Sequence, residues 1–291
     1  MSLNLDAVGT STTPDLVTWD SSEALLYALG VGAGQADASA ELAYTTENSE
    51  GHPQRVLPTF GVILAGFRAG DEIDYGSYDP AMLVHAEQRL EVFGEIPPSG
   101  RISVSRTLEG IYDKGSGALV VTSTTGRVPG ASEPLIRTRS SSFIRGEGGF
   151  GVLGPHQEWV RPDREPDERL PVQVRHDQAL LYRLSGDRNP LHTDPVFAAR
   201  AGFPRPILHG LCTYGIVGRL LLDKFAGSEP ARFRSLECRF TAPVYPGDNL
   251  SLDIWAKSDG YQFVARRSAG KIVLDRGLFV LADIDGKGKS E

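Results

Sequence analysis

Asp187, Asn189 and His192 fall within the short stretch "LSGDRNPLHTDP" (184–195), with Pro190 between them. A carboxylate and an imidazole placed this closely can serve as a general acid and base. Pro190 prevents a continuous helix through the motif and biases Asn189 towards an extended conformation. The three side chains therefore sit on a loop, where they can converge on one point. Gly210 stands near the start of the apolar run "ILHGLCTYGIVGRLLL" (207–222). A free backbone N–H at a helix start favours developing negative charge, so an oxyanion donor lies close to the acid/base candidates. A second reading is structural: Asp187 and Asn189 as turn formers and His192 as a satisfied polar residue.

The elements that position these residues follow from local signals. Asp194 followed by Pro195 is a helix N-cap with proline at the first helical position. The short helix "PVFAARA" stops near Gly202, "FPRP" turns the chain, and the long apolar helix begins near "LHG". That run is interrupted by His209 and Arg219 and is shorter than the roughly 20 residues a spanning helix needs, so it reads as a buried helix with Cys212 in the core. Three segments recur in the same order. "LLYALGVGAG" (25–34) matches "LLYRLSGDRN" (180–189), "VLPTFGVI" (56–63) matches "ILHGLCTYGI" (207–216), and "EQRLEVFGEIPPSG" (87–100) matches "ECRFTAPVYPGD" (237–248). An internal duplication results. Each copy continues into four runs of alternating apolar and polar residues, which read as antiparallel strands with one buried face. The fold class is α+β, with a sheet curling around a helix in each copy. The copies span 1–150 and 173–291, joined by a Gly-, Pro- and charge-rich linker at 151–172. Gly32 and Gly34 align with Asp187 and Asn189, and Thr59 with Gly210, so the first copy has lost the chemical set.

Composition excludes other classes. A net charge of −7 with no basic stripe argues against nucleic acid. The beginning of the sequence shows no signal-peptide pattern, and the closing "GKGKSE" is not a peroxisomal address, so a cytoplasmic location is expected. Two cysteines, Cys212 and Cys238, form no CxxC and suit a reducing compartment. Gly146, Gly148 and Gly151 spell G-x-G-x-x-G, but prolines follow where a dinucleotide site needs a helix. His192, Asp194 and His209 match no common metal-ligand spacing.

The stretch "YRLSGDRNPLHTDPVFAARAGFPRPILHGLCTYG" resembles the signature of the hydratase-2, or MaoC-like, family of (R)-specific enoyl-CoA hydratases, including the hydratase part of the peroxisomal multifunctional enzyme. The likeness extends to "DKGSG" (113–117), "RGEGGFG" (145–151) and "APVYPGD" (242–248). It implies a double hot-dog fold and reversible hydration of trans-2-enoyl-CoA to (3R)-3-hydroxyacyl-CoA. It also implies roles: Asp187 and His192 as the acid/base pair, Asn189 as a support for water, and the Gly210 N–H as donor to the thioester oxygen. His85 and Ala86 would contact substrate, with Ala86 standing where family members often have Gly. Lys114 would touch CoA, Phe240 would line its path, and Arg188, Pro190 and Leu191 would border the site. Such a reaction needs neither metal nor cofactor. The first copy's helix "PTFGVILAGFRAG" gives way to "DEIDYGSYDPAM", an interruption that would leave a tunnel for a long or bulky acyl group. The expected partner is an acyl-CoA, with no nucleic acid and no membrane, and the pseudo-dimeric chain could pair as a homodimer. The alternatives are a dehydratase acting on acyl-carrier protein, a thioesterase on the same fold, and a non-catalytic acyl-CoA-binding subunit.

Overall fold

The computed structural model describes residues 3–66, 73–155, 158–268 and 270–282. Residues 67–72, spanning the end of "PTFGVILAGFRAG" and the start of the interruption "DEIDYGSYDPAM", and the closing "GKGKSE" lie outside the described residues. The first repeat runs β1 (Asp15–Trp19), α1 (Ser21–Gly30), α2 (Leu42–Thr45), α3 (Gly61–Gly66), β2 (Leu83–Val92), β3 (Gly100–Asp113), β4 (Gly117–Arg127) and β5 (Ile136–Arg145). The second runs β6 (Glu168–Gln173), α4 (Gln178–Tyr182), α5 (Pro195–Arg200), α6 (Gly210–Ala226), β7 (Phe233–Phe240), β8 (Asn249–Lys257), β9 (Gly260–Arg267) and β10 (Ile272–Leu281). Strand, three helices and four strands recur in the same order, which is the double hot-dog arrangement.

The two repeat sheets join edge to edge into one antiparallel sheet, ordered β1-β3-β4-β5-β2-β7-β10-β9-β8-β6. Reading outwards from the β2–β7 seam, each strand meets its counterpart. β1 and β6, the two outer edges, were not among the expected strands, and β6 begins within the stretch expected to be linker. Each is only five or six residues long and its pattern is short, so its identity rests on pairing with β3 or β8.

Local sequence sets the helix ends. Asp20 and Glu23 form a reciprocal capping box on α1. Asp194 Oδ1 accepts from the Val196 and Phe197 N–H groups at the start of α5, with Pro195 at its first position. α6 ends on Gly227 at φ 62, where a residue without Cβ adopts the left-handed conformation without strain. The 17-residue α6 is buried almost all round in its first turns, because both repeats clasp it. Burying each Leu or Ile there stabilises the fold by about 1.5–3 kcal/mol. Cys212 is fully buried, its Sγ 3.4 Å from the Gly30 carbonyl oxygen.

The glycine run after β5 wraps a carboxylate. Asp113 Oδ1 accepts from the Gly115 and Gly149 N–H groups and Oδ2 from Gly151 N–H at 2.6 Å. These backbone bonds hold the Asp113 carboxyl below its ordinary pKa. Gly146, Gly148 and Gly151 therefore fold against the β3–β4 turn. A Cβ on Gly148 would stand 2.2 Å from the Gly115 carbonyl oxygen, closer than backbone can yield. Gly148→Ala is expected to lower stability by about 1–3 kcal/mol, read as a lower urea midpoint at unchanged slope.

Candidate active site

The catalytic-looking loop is locked by its own backbone. Gly186, at φ 143, turns the chain out of the short 3₁₀ segment after α4. The Asn189 N–H then donates to Asp187 Oδ1 at 3.2 Å, and Asn189 Oδ1 caps the Leu191 N–H at 3.0 Å. Thus the turn-forming and chemical readings coexist: Asn189 uses its carbonyl to shape the turn Pro190–His192 and keeps its amide NH₂. Nδ1 of His192 donates to the Ile207 carbonyl at 2.9 Å, which fixes the tautomer and leaves Nε2 free.

His209, directly before Gly210, completes the cluster. Its ring lies on that of His192 with centroids 3.7 Å apart and planes at 30°, and its Nε2 donates to the Asp187 carbonyl at 3.1 Å. The Tyr182 ring is tilted against that of His209, with centroids 5.0 Å apart. One ligand-type atom from each of Asp187, His192 and His209 lies within 4.8 Å of the others. Burial drives the electrostatics. It raises the Asp187 carboxyl above its ordinary value and lowers His192, each change opposed by attraction between the two charged forms. His209 is pushed down to about 2 by burial and the neighbouring His192, so it is a neutral ring at every working pH. Both imidazoles already bond backbone carbonyls, and stacked rings send their in-plane lone pairs side by side. The three groups suit proton transfer better than convergence on a metal. Asp194, occupied in capping α5, takes no part.

These residues open onto a cavity of about 520 Å³. Of the eleven residues expected at the site, Asp187, Asn189, His192, Gly210, His85, Leu191 and Phe240 line it. Gly210 begins α6, so its N–H precedes any intrahelical acceptor. A Cβ there would meet the Phe240 ring at 3.2 Å. His85 meets the same ring edge-on, with centroids 5.0 Å apart, and its Nε2 lies 2.9 Å from the Glu87 carbonyl and 3.0 Å from Ser140 Oγ. Burial pushes His85 down to about 4, leaving it neutral.

The remaining four are not among the residues that line this cavity. Ala86 is the extra residue of a β-bulge between His85 and Glu87. Lys114 is exposed on the β3–β4 turn. Arg188 is exposed because the loop turns its neighbours Asp187 and Asn189 inwards, and exposed Pro190 opens the 3₁₀ turn. Sequence reasoning weighed His209 only as a metal ligand and missed it as a partner of His192. Its place beside Gly210 was the available signal. The cavity reaches the end of α3, at Gly66, and is walled there by Ile73, Tyr75 and Tyr78. Arg145, exposed at its rim, lies over the Phe203 ring at 5.7 Å.

A model of the MaoC like domain matches residues 158–271, and one of the MFE-2 hydratase 2 N-terminal domain matches residues 17–146. The chain is 43% identical over 289 residues to 3-hydroxyacyl-thioester dehydratase Y of Mycobacterium tuberculosis, covering 95% of this chain and 98% of that protein. This chain belongs to the MaoC-like, hydratase-2 family. Enoyl-CoA hydratase ChsH3 of the same organism is 40% identical over 273 residues, covering 91% and 93% of the two chains. A MaoC-like dehydratase from Phytophthora capsici superposes with a TM-score of 0.84 at 31% identity, covering 97% of this chain and 99% of that one. The chain is thus a hydro-lyase of the hydratase/dehydratase type. No described helix is long and apolar enough to cross a membrane.

His209→Phe would keep a ring against His192 but lose the bond to the Asp187 carbonyl. Small displacements of reacting groups are costly. We expect kcat to fall on the order of 10–100-fold with KM little changed, measured by steady-state kinetics.

Proposed function

We propose that this hydro-lyase adds water reversibly to trans-2-enoyl-CoA, giving (3R)-3-hydroxyacyl-CoA. The observation that carries the reading is one cavity holding the Asp187 carboxylate, the free Nε2 of His192 and the start of α6 at Gly210. Water held by Asp187 and His192 attacks Cβ as the pair takes one of its protons. The C=C π electrons move onto the thioester oxygen, which the Gly210 N–H stabilises. The enolate then collapses, Cα takes a proton from the pair, and the pair ends as it began. Positioned acid/base groups contribute about 10²–10⁴-fold to such a step, and an oxyanion donor about 10²–10³-fold. One pair serving both carbons delivers oxygen and hydrogen to the same face of the double bond.

The second repeat supplies the acid/base pair and oxyanion donor, while β2, β4 and β5 of the first repeat wall the acyl space. This supports a catalytic second repeat and an acyl-binding first repeat. The names of the relatives include both an enoyl-CoA hydratase and a hydroxyacyl-thioester dehydratase, which are the two directions of one equilibrium. Exposed Arg145 at the rim offers a cation to the CoA phosphates. The overall charge of −7 favours CoA over an acidic carrier protein, whose docking calls for a basic face. Free, buried Cys212 and Cys238 suit the reducing cytoplasm.

The test follows loss of enoyl-thioester absorbance with a medium-chain trans-2-enoyl-CoA, together with chiral analysis of the product. Wild type should yield the (3R)-alcohol, and Asp187→Asn should lose about 10²–10⁴-fold in kcat. A (3S) product would refute the stereochemical reading, and binding without turnover would refute the hydratase.

The pH profile tests the base separately. Asp187 acts unprotonated and its pKa is raised, so its base form is lost on the acid side, starting above the ordinary carboxylate value of 3.8. His192, with its pKa lowered, stays neutral through neutral pH and adds no second step there. We expect kcat/KM to fall towards acid pH along a single limb, and this limb to be absent from the residual rate of Asp187→Asn.

A further inference from the structure

The acyl space has a polar band where an alkyl chain would need none. One face of β5 reads Ile136, Thr138, Ser140, Ser142, Ile144, and the matching face of β4 reads Val120, Thr122, Thr124. These are direct cross-strand partners: Val120 with Ser142, Thr122 with Ser140, and Thr124 with Thr138. All six line the cavity. Thr124 is 4% exposed and Thr138 6%, which puts the band deep, away from exposed Asn189 and Thr241 at the mouth. Among the described residues, Ser140 bonds His85, whereas the hydroxyls of Thr122, Thr124, Thr138 and Ser142 have no hydrogen-bond partner.

Two further observations point to a ligand. Thr213, one turn along α6 from Gly210, lines the same cavity at 1% exposure, and its Oγ1 has no partner. In the second repeat, the corresponding strands carry Phe263, Ala265, Leu274 and Phe279, which pack into one core with α6. Among the described residues, the first repeat sets α3 (Gly61–Gly66) against its sheet, whose face turns from apolar at Leu90 and Ile136 to hydroxyl-bearing at Thr138 and Ser140. Beyond the band the face becomes apolar again, at Leu108, Val120 and Ile144. Buried polar groups left unpaired by a ligand penalise that ligand, and a site built to bond a substrate oxygen rejects the analogue lacking it.

We infer that the acyl group accepted here carries hydroxyl or keto oxygens part-way along its length, bonded by the Thr122/Ser140 and Thr124/Thr138 pairs between two apolar stretches. This rests on the hydratase reading above and names its substrate class. The experiment compares kcat/KM for crotonyl-CoA, trans-2-decenoyl-CoA and decenoyl-CoAs bearing one hydroxyl or keto group at successive positions from the middle of the chain to its end. At least one oxygenated decenoyl substrate is expected to exceed the plain one by roughly 10-fold or more. In Thr122→Val/Thr138→Val that ratio should fall to within about two-fold. A plain chain hydrated as well as every oxygenated one overturns the inference and leaves the hydratase intact. Turnover of no substrate overturns the hydratase reading itself. A variant that slows crotonyl-CoA and both decenoyl types equally, leaving the ratio unchanged, assigns the hydroxyls to the pantetheine arm and overturns the inference.

Discussion

The β2–β7 seam is the constraint on which the rest depends. The duplication carries the triplet Glu-x-Arg in both copies, as Glu87–Arg89 and Glu237–Arg239. Antiparallel pairing sets Glu87 opposite Arg239 and Arg89 opposite Glu237, about a local axis through Gln88 and Cys238. Both ion pairs form, Arg89 to Glu237 at 3.1 Å and Arg239 to Glu87. Such a contact is self-complementary in the manner of a two-fold interface, although it lies within one chain. A slip by two residues would put Glu87 opposite Glu237, and a slip by one would turn every side chain to the other face. The same register brings His85, at one end of the seam, against Phe240 at the end of β7. The cavity opens there.

Burial at this junction gives ordinary residues their chemistry. Asp187 and His192 are drawn away from water on a loop whose backbone is held by Asn189, Ile207 and His209. Desolvation raises the carboxyl and lowers the imidazole, so burial opposes the charged form of both groups while their mutual attraction favours it. His209 contributes by remaining neutral: a second cation stacked at 3.7 Å would pull His192 further from protonation, whereas a neutral ring only fixes its plane.

Much of this was legible in the sequence, for physical reasons. Periodicity marks a strand when one face is apolar, and all eight strand-like runs expected from such patterning form strands. Asp194-Pro195 predicts a helix start because it supplies an acceptor and omits a donor, and α5 begins there. The D-x-N-P-x-H loop draws attention because proline disrupts a helix around titratable groups. Other features were hidden. β1 and β6 are too short to show a period. The Thr and Ser residues of β4 and β5 look like a solvent face, because sequence gives polarity but not which polar face curls inwards. Lys114 and Ala86 were placed at the site by resemblance, and a bulge and an exposed turn set them apart from the cavity.

The difference between the two copies shows how a duplicated fold can hold one site instead of two. Where the second copy has Asp187 and Asn189, the first has Gly32 and Gly34, both at positive φ, and where the second has Gly210 the first has buried Thr59. That segment has become a support for α6. A Cβ on Gly218 would meet Thr59 Cγ2 at 2.6 Å, so the helix packs hard against it. The Gly30 carbonyl accepts from Gln178 Nε2 at 2.6 Å, tying α1 to α4, and Arg219 on α6 reaches the Val31 carbonyl and Glu41. The first copy braces the helix whose start carries Gly210. Its strands β4 and β5 line the cavity, whereas the matching face of the second copy packs with α6. Divergence of the first copy thus provides both the buttress for α6 and part of the wall of the cavity onto which Asp187 and His192 open.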